Sequence, residues 1–332
     1  MKKLHETQLS VLDLAPIRDG GDAGESLRHS LDLAQHVERW GYRRFWLAEH
    51  HNIPGIASAA TSVVMAYVAT GTKSIRVGAG GIMLPNHAPL VIAEQFGTLE
   101  ALFPGRIDLG LGRAPGGDQK TARALRRNLG SSGDTFPRDV LELQAYLGPA
   151  QDGQEVRAVP GQGTNVPLWL LGSSDFSARL AAELGLPFAF ASHFAPPYLA
   201  TALEIYRLNF KPSRQLDRPY VMIGVNLFAA GTDAEAQRLF TTLQQAFLNL
   251  VRGKPGLLLP PVESMQGRWS LLEQEHVERM TSVSLVGGPE TIRSQAEALA
   301  ASTGADEFIL TGQIYDHAAR LRSFQIAAEN LR

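Results

Sequence analysis

Three polar residues that could perform acid–base chemistry follow an apolar run early in the chain. Glu49, His50 and His51 come directly after Phe45–Ala48, and the pattern breaks at Asn52. An imidazole, with an ordinary pKa of about 6.5, can donate or accept a proton near neutral pH. Two neighbouring histidines could also bind a metal, or end a strand with hydrogen bonds. The residue types therefore leave three interpretations: catalysis, metal binding and a structural strand end.

Metal binding is the weakest of these interpretations. A metal site needs three or four ligands that can close around one ion. His50 and His51 are adjacent and cannot share an ion as comfortably as an HxH or HxxxH pair. His87 and His193 could complete a cluster, but the chain has no cysteine and no HxH pair on its first strand. We predict no metal, and we expect one of the paired histidines to handle a proton while the other supports the strand end, with Glu49 orienting either.

A second group of residues could bind a phosphate. The segment 172–177 (GSSDFS) joins an apolar strand to an amphipathic helix, so its serines fall in the first helical turn. Free backbone N–H groups and the helix dipole favour an anion there, although ordinary N-capping also explains the serines. Ser174 and Ser177 are neighbours on the helix surface. Arg113 ends the preceding strand, and a guanidinium beside a helix N-terminus predicts a phosphate clamp.

Glycines occupy alternate positions in two predicted strands. Gly78 and Gly80 point to one face of the third strand, and Gly110 and Gly112 do the same in the fourth. Glycine inside a strand often marks close approach by a ligand or by another part of the protein. Two neighbouring strands without side chains would leave room for a broad, flat ring. Tight packing in a barrel interior explains the glycines equally well.

Short apolar runs alternate with amphipathic stretches, as strands alternate with helices. The predicted strands are Gln8–Leu14, Arg44–Glu49, Ile75–Leu84, Ile107–Gly112, Pro167–Gly172, Pro187–Ala191, Tyr220–Ala230 and Glu307–Thr311. The predicted helices are one that carries Leu27, Leu31, Ala34 and Val37 and ends before Gly41, and Ser58–Thr70, Leu90–Phe103 and Phe176–Leu184. Near-continuous apolar strands indicate a parallel sheet buried on both faces. We predict an α/β fold, a single-domain (β/α)8 TIM barrel over residues 1–332 with long insertions at the strand C-terminal ends. A doubly wound sheet is less favoured because no GxGxxG opens the first helix.

Composition narrows the function. The 332 residues carry a net charge of −2, and basic residues are spread along the chain rather than clustered for nucleic acid. The lack of cysteine fits a reducing cytoplasm, and the N-terminal apolar run is too short and too polar for a secretion signal. No apolar segment approaches the roughly 20 residues that span a bilayer. We expect a cytoplasmic enzyme with no nucleic-acid or membrane partner.

Two long segments interrupt the alternation. Arg113–Gly133 contains Pro115 and a basic run, and Arg252–Glu275 contains three prolines and three glycines. Loops this long in a compact domain are usually functional or disordered. Either segment could be an active-site lid, and we favour Arg252–Glu275.

Four ordered blocks of the chain resemble the bacterial luciferase-like, flavin-dependent monooxygenase family. The blocks are 41–51 (GYRRFWLAEHH), 77–85 (VGAGGIMLP), 102–113 (LFPGRIDLGLGR) and 286–292 (VGGPETI) with 304–308 (GADEF). They occur in the family's order and span most of the chain. The resemblance implies a TIM barrel that takes reduced FMN from a separate flavin reductase and uses it with molecular oxygen on a small organic substrate. The substrate is not identified by the sequence. The resemblance also suggests a homodimer through the second and third helices.

The same resemblance implies which residues would bind the cofactor. Arg113, Ser174 and Ser177 match the family's phosphate-binding positions. Gly80 and Gly81 match the place of a non-prolyl cis peptide that lies against the isoalloxazine ring. We therefore expect the phosphate between Arg113 and the helix start, and the ring beside the third strand.

His50 matches a catalytic histidine of the luciferase active subunit, and Gly112 replaces its reactive cysteine, so that thiol cannot operate here. We expect reduced FMN and oxygen to form a C4a-peroxyflavin that oxygenates the substrate, with His50 as acid or base. The alternatives are a deazaflavin-dependent hydride-transfer oxidoreductase, a non-catalytic flavin-binding accessory protein and a metal-dependent barrel hydrolase.

Overall fold

Parallel strands alternate with helices along the chain. The computed structural model describes residues 2–114, 119–125 and 135–332. The strands are β1 (Gln8–Asp13), β2 (Arg44–Leu47), β3 (Arg76–Met83), β4 (Ile107–Gly112), β5 (Leu168–Gly172), β6 (Phe188–Phe190), β7 (Val221–Ala229), β8 (Ser284–Gly287) and β9 (Glu307–Thr311). The helices are α1 (Ala23–Arg39), α2 (Thr61–Thr70), α3 (Pro89–Leu102), α4 (Gln119–Leu125), α5 (Phe136–Leu147), α6 (Asp175–Leu184), α7 (Leu199–Asn209), α8 (Asp233–Val251), α9 (Leu271–Met280), α10 (Pro289–Thr303) and α11 (His317–Asn330).

Eight of the nine strands close into a barrel. Their order is β1-β2-β3-β4-β5-β6-β7-β9, and β9 pairs with β1 to complete the ring. Each of these pairings is parallel. The predicted (β/α)8 TIM barrel is therefore confirmed, and the eight strands predicted from the sequence are the eight that form the ring.

The ninth strand was not predicted. Asn226 of β7 pairs with Thr311 of β9 on one side and with Ser284 of β8 on the other. β6 and β8 therefore pair with the same edge of β7, β6 near the start of β7 and β8 near its end. It lies outside the ring. With four residues, one of them a terminal glycine, its apolar run is too short to be recognised as a strand.

Two predicted element ends are wrong by more than one residue. β2 ends at Leu47 rather than Glu49, and the chain then turns through Asn52, whose φ is 56°. α2 begins at Thr61 rather than Ser58, because the Ser58 hydroxyl bonds the Leu14 carbonyl at 3.1 Å and holds that residue in the preceding loop.

Side chains of the barrel strands pack into two separate cores, one outside the ring of strands and one inside it. In β2, Phe45 and Leu47 face outward and pack in the layer between strands and helices, whereas Trp46 points into the barrel. Trp46 meets Trp169 of β5 edge to face, with ring centroids 5.1 Å apart. The interior cluster consists of Leu12, Trp46, Ala48, Trp169, Ala189, Met222 and Ile309. The middle of the barrel is a packed core, as this fold requires.

Trp46 also explains two of the glycines. A Cβ on Gly78 or Gly80 would collide with the Trp46 side chain, and one on Gly110 would collide with Leu171 and the Ala79 carbonyl. Neighbouring protein atoms therefore fill the space that these glycines create. Of the two interpretations that the sequence leaves open, these contacts favour tight packing at Gly78, Gly80 and Gly110.

A buried ion network closes the N-terminal end of the barrel. Arg44 donates to Glu307 from Nε at 2.7 Å and to Asp108 from Nη1 at 2.8 Å. Tyr220 donates to Glu307 at 2.8 Å, and the Trp46 indole N–H donates to Asp108 at 3.1 Å. Each buried charge at this end therefore has opposite charge and hydrogen bonds around it.

The favoured lid segment, Arg252–Glu275, is hydrogen-bonded to the loop after β1. The Leu258 N–H donates to the Ile17 carbonyl at 2.9 Å, and the Leu258 carbonyl accepts the Asp19 N–H at 2.8 Å. Movement of this segment as a lid stays a prediction. Of Arg113–Gly133, the structure describes 113–114 and 119–125, and the rest of that segment lies outside the described residues. None of the described helices combines the length and apolar composition that a membrane crossing needs.

Candidate functional site

Glu49 organises the polar residues that follow β2. Its Oε1 lies 2.8 Å from Nε2 of His51 and 2.9 Å from Nε2 of His87, and its Oε2 accepts the Met83 N–H at 3.0 Å. Burial opposes ionisation of this carboxyl, but the hydrogen bonds and charges of His87, His51 and Met83 outweigh burial and lower the pKa of Glu49. Glu49 is a buried carboxylate that joins the end of β2 to the end of β3.

These hydrogen bonds assign the roles of two histidines. An ionised carboxylate only accepts hydrogen bonds, so Nε2 of both His51 and His87 carries a hydrogen. His51 thus supports the strand end, as expected, and Glu49 also holds His87, which we had not assigned to the site. His50 is partly accessible at the same end of the barrel. Among the described residues, no three histidine or acidic side chains are placed to hold a metal ion; the metal prediction itself remains untested.

Arg113 reaches the start of α6. Its guanidinium carbon lies 4.0 Å from the centre of the Phe176 ring, a cation–π contact with the second residue of that helix. The pairing of Gly112 with Leu171 brings the end of β4 beside the end of β5. No carboxylate within the described ranges lies at ion-pair distance from Arg113. Its N–H groups therefore remain available to a ligand, and the two halves of the predicted phosphate clamp are adjacent.

The two predicted serines have different surroundings. Ser174 is the N-cap residue of α6, but its side chain makes no capping hydrogen bond. The first N–H groups of a helix have no intrahelical acceptor and can bind an anion. Ser177 is 5% exposed, and its hydroxyl packs against Gly172. Ser174 is therefore the better placed of the two to contact a ligand, while the exposed Asp175 between them places a negative charge in the same turn.

The peptide bond between Gly80 and Gly81 is cis, as the resemblance implies. Gly80 is partly accessible, whereas Gly78 beneath it is buried. This peptide therefore lies at the boundary between the packed interior and the open end of β3. Contact between it and a flavin ring remains a prediction.

His193 belongs to the same end of the barrel but was not among the predicted site residues. It follows β6, is partly accessible, and has no hydrogen-bond partner for Nδ1. Burial, with a smaller contribution from charge on the nearby His50, lowers the pKa of His193 to about 4. In the sequence, its only signal is that it lies three residues beyond a strand, as His50 does beyond β2.

The open end of the barrel thus combines three kinds of group. A guanidinium and a helix start lie at β4 and β5, a cis glycine peptide lies at β3, and imidazoles lie at the ends of β2, β3 and β6. Such a site can bind an anionic group at one side and exchange a proton at the other.

Sequence comparison identifies the family. Residues 7–307 match the family described as luciferase-like monooxygenase. A protein of Escherichia coli K12 named luciferase-like monooxygenase is 55% identical over 320 residues, which are 96% of this chain and 96% of that protein. The uncharacterized protein YvbT of Bacillus subtilis 168 is 57% identical over 98% of this chain and 96% of its own length.

Solved structures show the same fold. The crystal structure of apo-MsnO8 is 36% identical, covers 98% of both chains and has a TM-score of 0.87. More distant likenesses, which show the fold alone, have different cofactors. The oxygenating constituent of 3,6-diketocamphane monooxygenase from Pseudomonas putida, in complex with FMN, is 18% identical over 100% of this chain and 98% of its own, with a TM-score of 0.73. An F420-dependent secondary alcohol dehydrogenase is 14% identical over 99% of this chain and 98% of its own, with a TM-score of 0.70. The sequence match and the barrel together show that this chain belongs to the luciferase-like monooxygenase family.

Proposed function

We propose that the protein is an FMN-dependent monooxygenase that uses reduced FMN and molecular oxygen to oxygenate a small organic substrate. The observation that carries the proposal is the placement of Arg113 over Phe176 at the start of α6. A guanidinium without a carboxylate partner in the described part of the chain, beside unbonded helix N–H groups, suits the phosphate of FMN. The Ser174 hydroxyl, which makes no capping hydrogen bond, adds a further donor.

The chain's own residues would bind the cofactor, exclude water and move protons. Arg113, Ser174 and the start of α6 would hold the phosphate, and the Gly80–Gly81 peptide would border the flavin ring. The packed interior beneath Gly80 keeps bulk water out from below. His50 would donate or accept the proton that accompanies oxygen transfer. Bound reduced FMN supplies two electrons and two protons, so that one oxygen atom enters the substrate and the other leaves as water.

Mixing the anaerobic complex of protein and reduced FMN with oxygenated buffer tests the reaction class. We expect a transient absorbance that belongs to neither reduced nor oxidised FMN and that outlasts the reoxidation of free flavin. His50→Ala should shorten that transient or abolish turnover. Reoxidation at the rate and with the spectrum of free reduced FMN would contradict the proposal.

Parallel titrations with reduced FMN and with a reduced deazaflavin test the cofactor. Tighter binding of FMN, weakened by Arg113→Ala, supports the proposal. Tight deazaflavin binding without FMN binding would favour hydride transfer instead. Binding of either flavin without turnover on any substrate, and without a transient, would favour an accessory protein. A separate flavin reductase is the proposed source of reduced FMN.

Exposed apolar side chains on α2 and α3 support a homodimer through these helices. Val63 and Tyr67 of α2 are 68% and 43% exposed, and Val91 and Leu102 of α3 are 44% and 63% exposed. Large apolar groups left exposed on neighbouring helices are typical of association surfaces. Sedimentation should give a dimer that Val63→Glu converts to a monomer. A wild-type monomer at high concentration would contradict this part of the proposal.

A further inference from the structure

His193 and His50 follow strands on opposite sides of the ring, at the open C-terminal end of the barrel, which we call the mouth. In the ring β1-β2-β3-β4-β5-β6-β7-β9, strands β2 and β6 are four places apart, which is half of the circumference. β2 ends at Leu47 and β6 ends at Phe190, and each histidine lies three residues beyond the end of its strand. Charge on His50 contributes to the lowered pKa of His193, so the two imidazoles are near enough to interact electrostatically.

The His193 ring lies on the bare backbone of β7. A Cβ on Gly224 would overlap Nδ1 of His193, so only glycine permits this position. The Asn226 amide donates to the His193 carbonyl at 2.8 Å, and the neighbouring Ser192 hydroxyl donates to the Gly224 carbonyl at 2.7 Å. Phe194 packs edge-on against the ring at 5.0 Å. These contacts from β7 and the β6 loop fix the ring's position.

The two ring nitrogens of His193 have different surroundings. Nδ1 is enclosed and has no partner, whereas the side chain as a whole remains partly accessible. A buried N–H without an acceptor is rarer and costlier than a buried lone pair without a donor. We therefore assign the hydrogen to Nε2, on the side of the ring away from Gly224. Because burial lowers the pKa of His193 to about 4, the ring keeps a single N–H at neutral pH.

The loop that carries His193 lies beside the predicted phosphate site. The Ala191 N–H donates to the carbonyl of Gly172, the last residue of β5, at 3.0 Å. His193 is two residues beyond Ala191, and Ser174 is two residues beyond Gly172. The loops after β5 and β6 therefore lie side by side, and a phosphate held at Ser174 would lie near the loop that carries His193.

We propose that His193 is a cofactor-binding residue whose Nε2–H donates a hydrogen bond to an acceptor atom of bound FMN. This inference rests on the proposed function. It separates the two histidines by role: His50 exchanges a proton, and His193 is a fixed donor that does not titrate in the working range. Gly224 contributes to this arrangement, because its lack of a side chain leaves the space that the His193 ring occupies.

Three substitutions test the inference by anaerobic titration with reduced FMN. His193→Phe keeps a flat ring without a donor and should weaken FMN binding about fivefold, the size of one hydrogen bond. His193→Gln keeps a terminal N–H and should stay within about twofold of wild type. Leu208→Ala, at a 77% exposed position near the end of α7, is the control and should bind as wild type does. Equal affinity of the His193→Phe and wild-type proteins would overturn the inference.

Nitrogen NMR of the full chain with labelled histidine gives a readout that does not depend on activity. The resonances lost in His193→Gln identify His193. They should show the Nε2–H form from pH 5 to pH 8 and should shift when reduced FMN is added. An Nδ1–H form, titration near pH 6.5, or no shift on saturation with FMN would overturn the inference. Failure of the wild-type protein to bind FMN at all would instead overturn the proposed function on which it rests.

Discussion

The two ends of the barrel treat their polar groups in opposite ways. At the N-terminal end, Arg44 lies between Asp108 and Glu307, and each carboxylate accepts further hydrogen bonds. At the C-terminal end, Nδ1 of His193 has no partner, and Arg113 has no carboxylate partner among the residues that the structure describes. At the N-terminal end the buried charges are paired, whereas at the C-terminal end a guanidinium and an imidazole nitrogen have no such partner in the described part of the chain.

Burial explains the difference. The Arg44 and Asp108 side chains are 4% and 1% exposed, and an unpaired ion at that depth would cost several kcal/mol. Burial disfavours the charge on Arg44, but Glu307 and Asp108 outweigh it and raise its pKa. At the C-terminal end, Arg113 is exposed, so water can solvate its charge, and the enclosed Nδ1 of the neutral His193 ring leaves only an uncharged lone pair without a donor. A ligand that replaces this water finds donors already in place.

Removing the central cation should have the largest effect. Arg44→Met leaves Asp108 and Glu307 buried without their main partner, so the free energy of unfolding should fall by about 3–5 kcal/mol. Urea denaturation measures the loss. Arg113→Met at the other end is the matched control and should change stability by no more than about 0.5 kcal/mol. Similar losses in both variants would remove the distinction between the two ends.

The neighbouring histidines of the mouth should divide by function. His50→Ala should lower turnover about a hundredfold, since it removes a proton-transfer group, with little change in stability. His51→Ala should do the reverse, because Glu49 loses one of its hydrogen bonds, and the protein should lose about 1–2 kcal/mol of stability. Turnover assays and urea denaturation of both variants decide between these outcomes. Loss of stability in His50→Ala with normal turnover would reverse the assignment.

Acid should destabilise the protein partly through His193. Its pKa in the folded protein is about 4, whereas an unfolded histidine titrates near pH 6.5. Below about pH 6.5 the unfolded chain binds a proton that the folded chain does not, so stability falls until the pH nears 4. The contribution is at most about 3 kcal/mol. Denaturation at pH 7 and pH 4.5 should show a smaller acid loss in His193→Phe than in wild type, and equal losses would contradict the buried neutral ring.

The smallest effect should separate a helix cap from a ligand-binding serine. Ser270 caps α9 by accepting the Glu273 N–H, whereas the Ser174 side chain makes no capping bond in α6. Ser270→Ala should therefore cost about 1 kcal/mol of stability, and Ser174→Ala much less. Ser174→Ala should instead weaken reduced FMN binding severalfold, about 1 kcal/mol. Thermal unfolding and FMN titration of both variants measure these effects. A Ser174→Ala variant that lost stability but bound FMN as wild type does would contradict the expectation.

The barrel was predictable because each ring strand is an apolar run long enough to stand out between turns. β8 was not, since Ser284–Gly287 is short and pairs only with the far half of β7. The glycine pattern was ambiguous in sequence. Gly78 faces Trp46 of a neighbouring strand, so its meaning depended on a side chain about 30 positions away.

The candidate site was predictable where it depends on strand order. Arg113 and Ser174 follow consecutive strands, and consecutive parallel strands bring their ends together. The contacts of Glu49 with His87 and of His193 with Gly224 were not predictable, because they join residues whose distance depends on closure of the ring and on rotamers. Those contacts bring His87 and His193 into the site.

Anaerobic titration of the protein with reduced FMN, followed through tryptophan fluorescence, tests the central claim most directly. Trp46 and Trp169 fill the interior beneath the mouth and should report binding there. The account predicts saturable binding of one FMN per chain, weakened at least tenfold by Arg113→Ala and unchanged by Arg179→Ala on the exposed face of α6. No saturable binding, or binding that Arg113→Ala leaves unaltered, would contradict it.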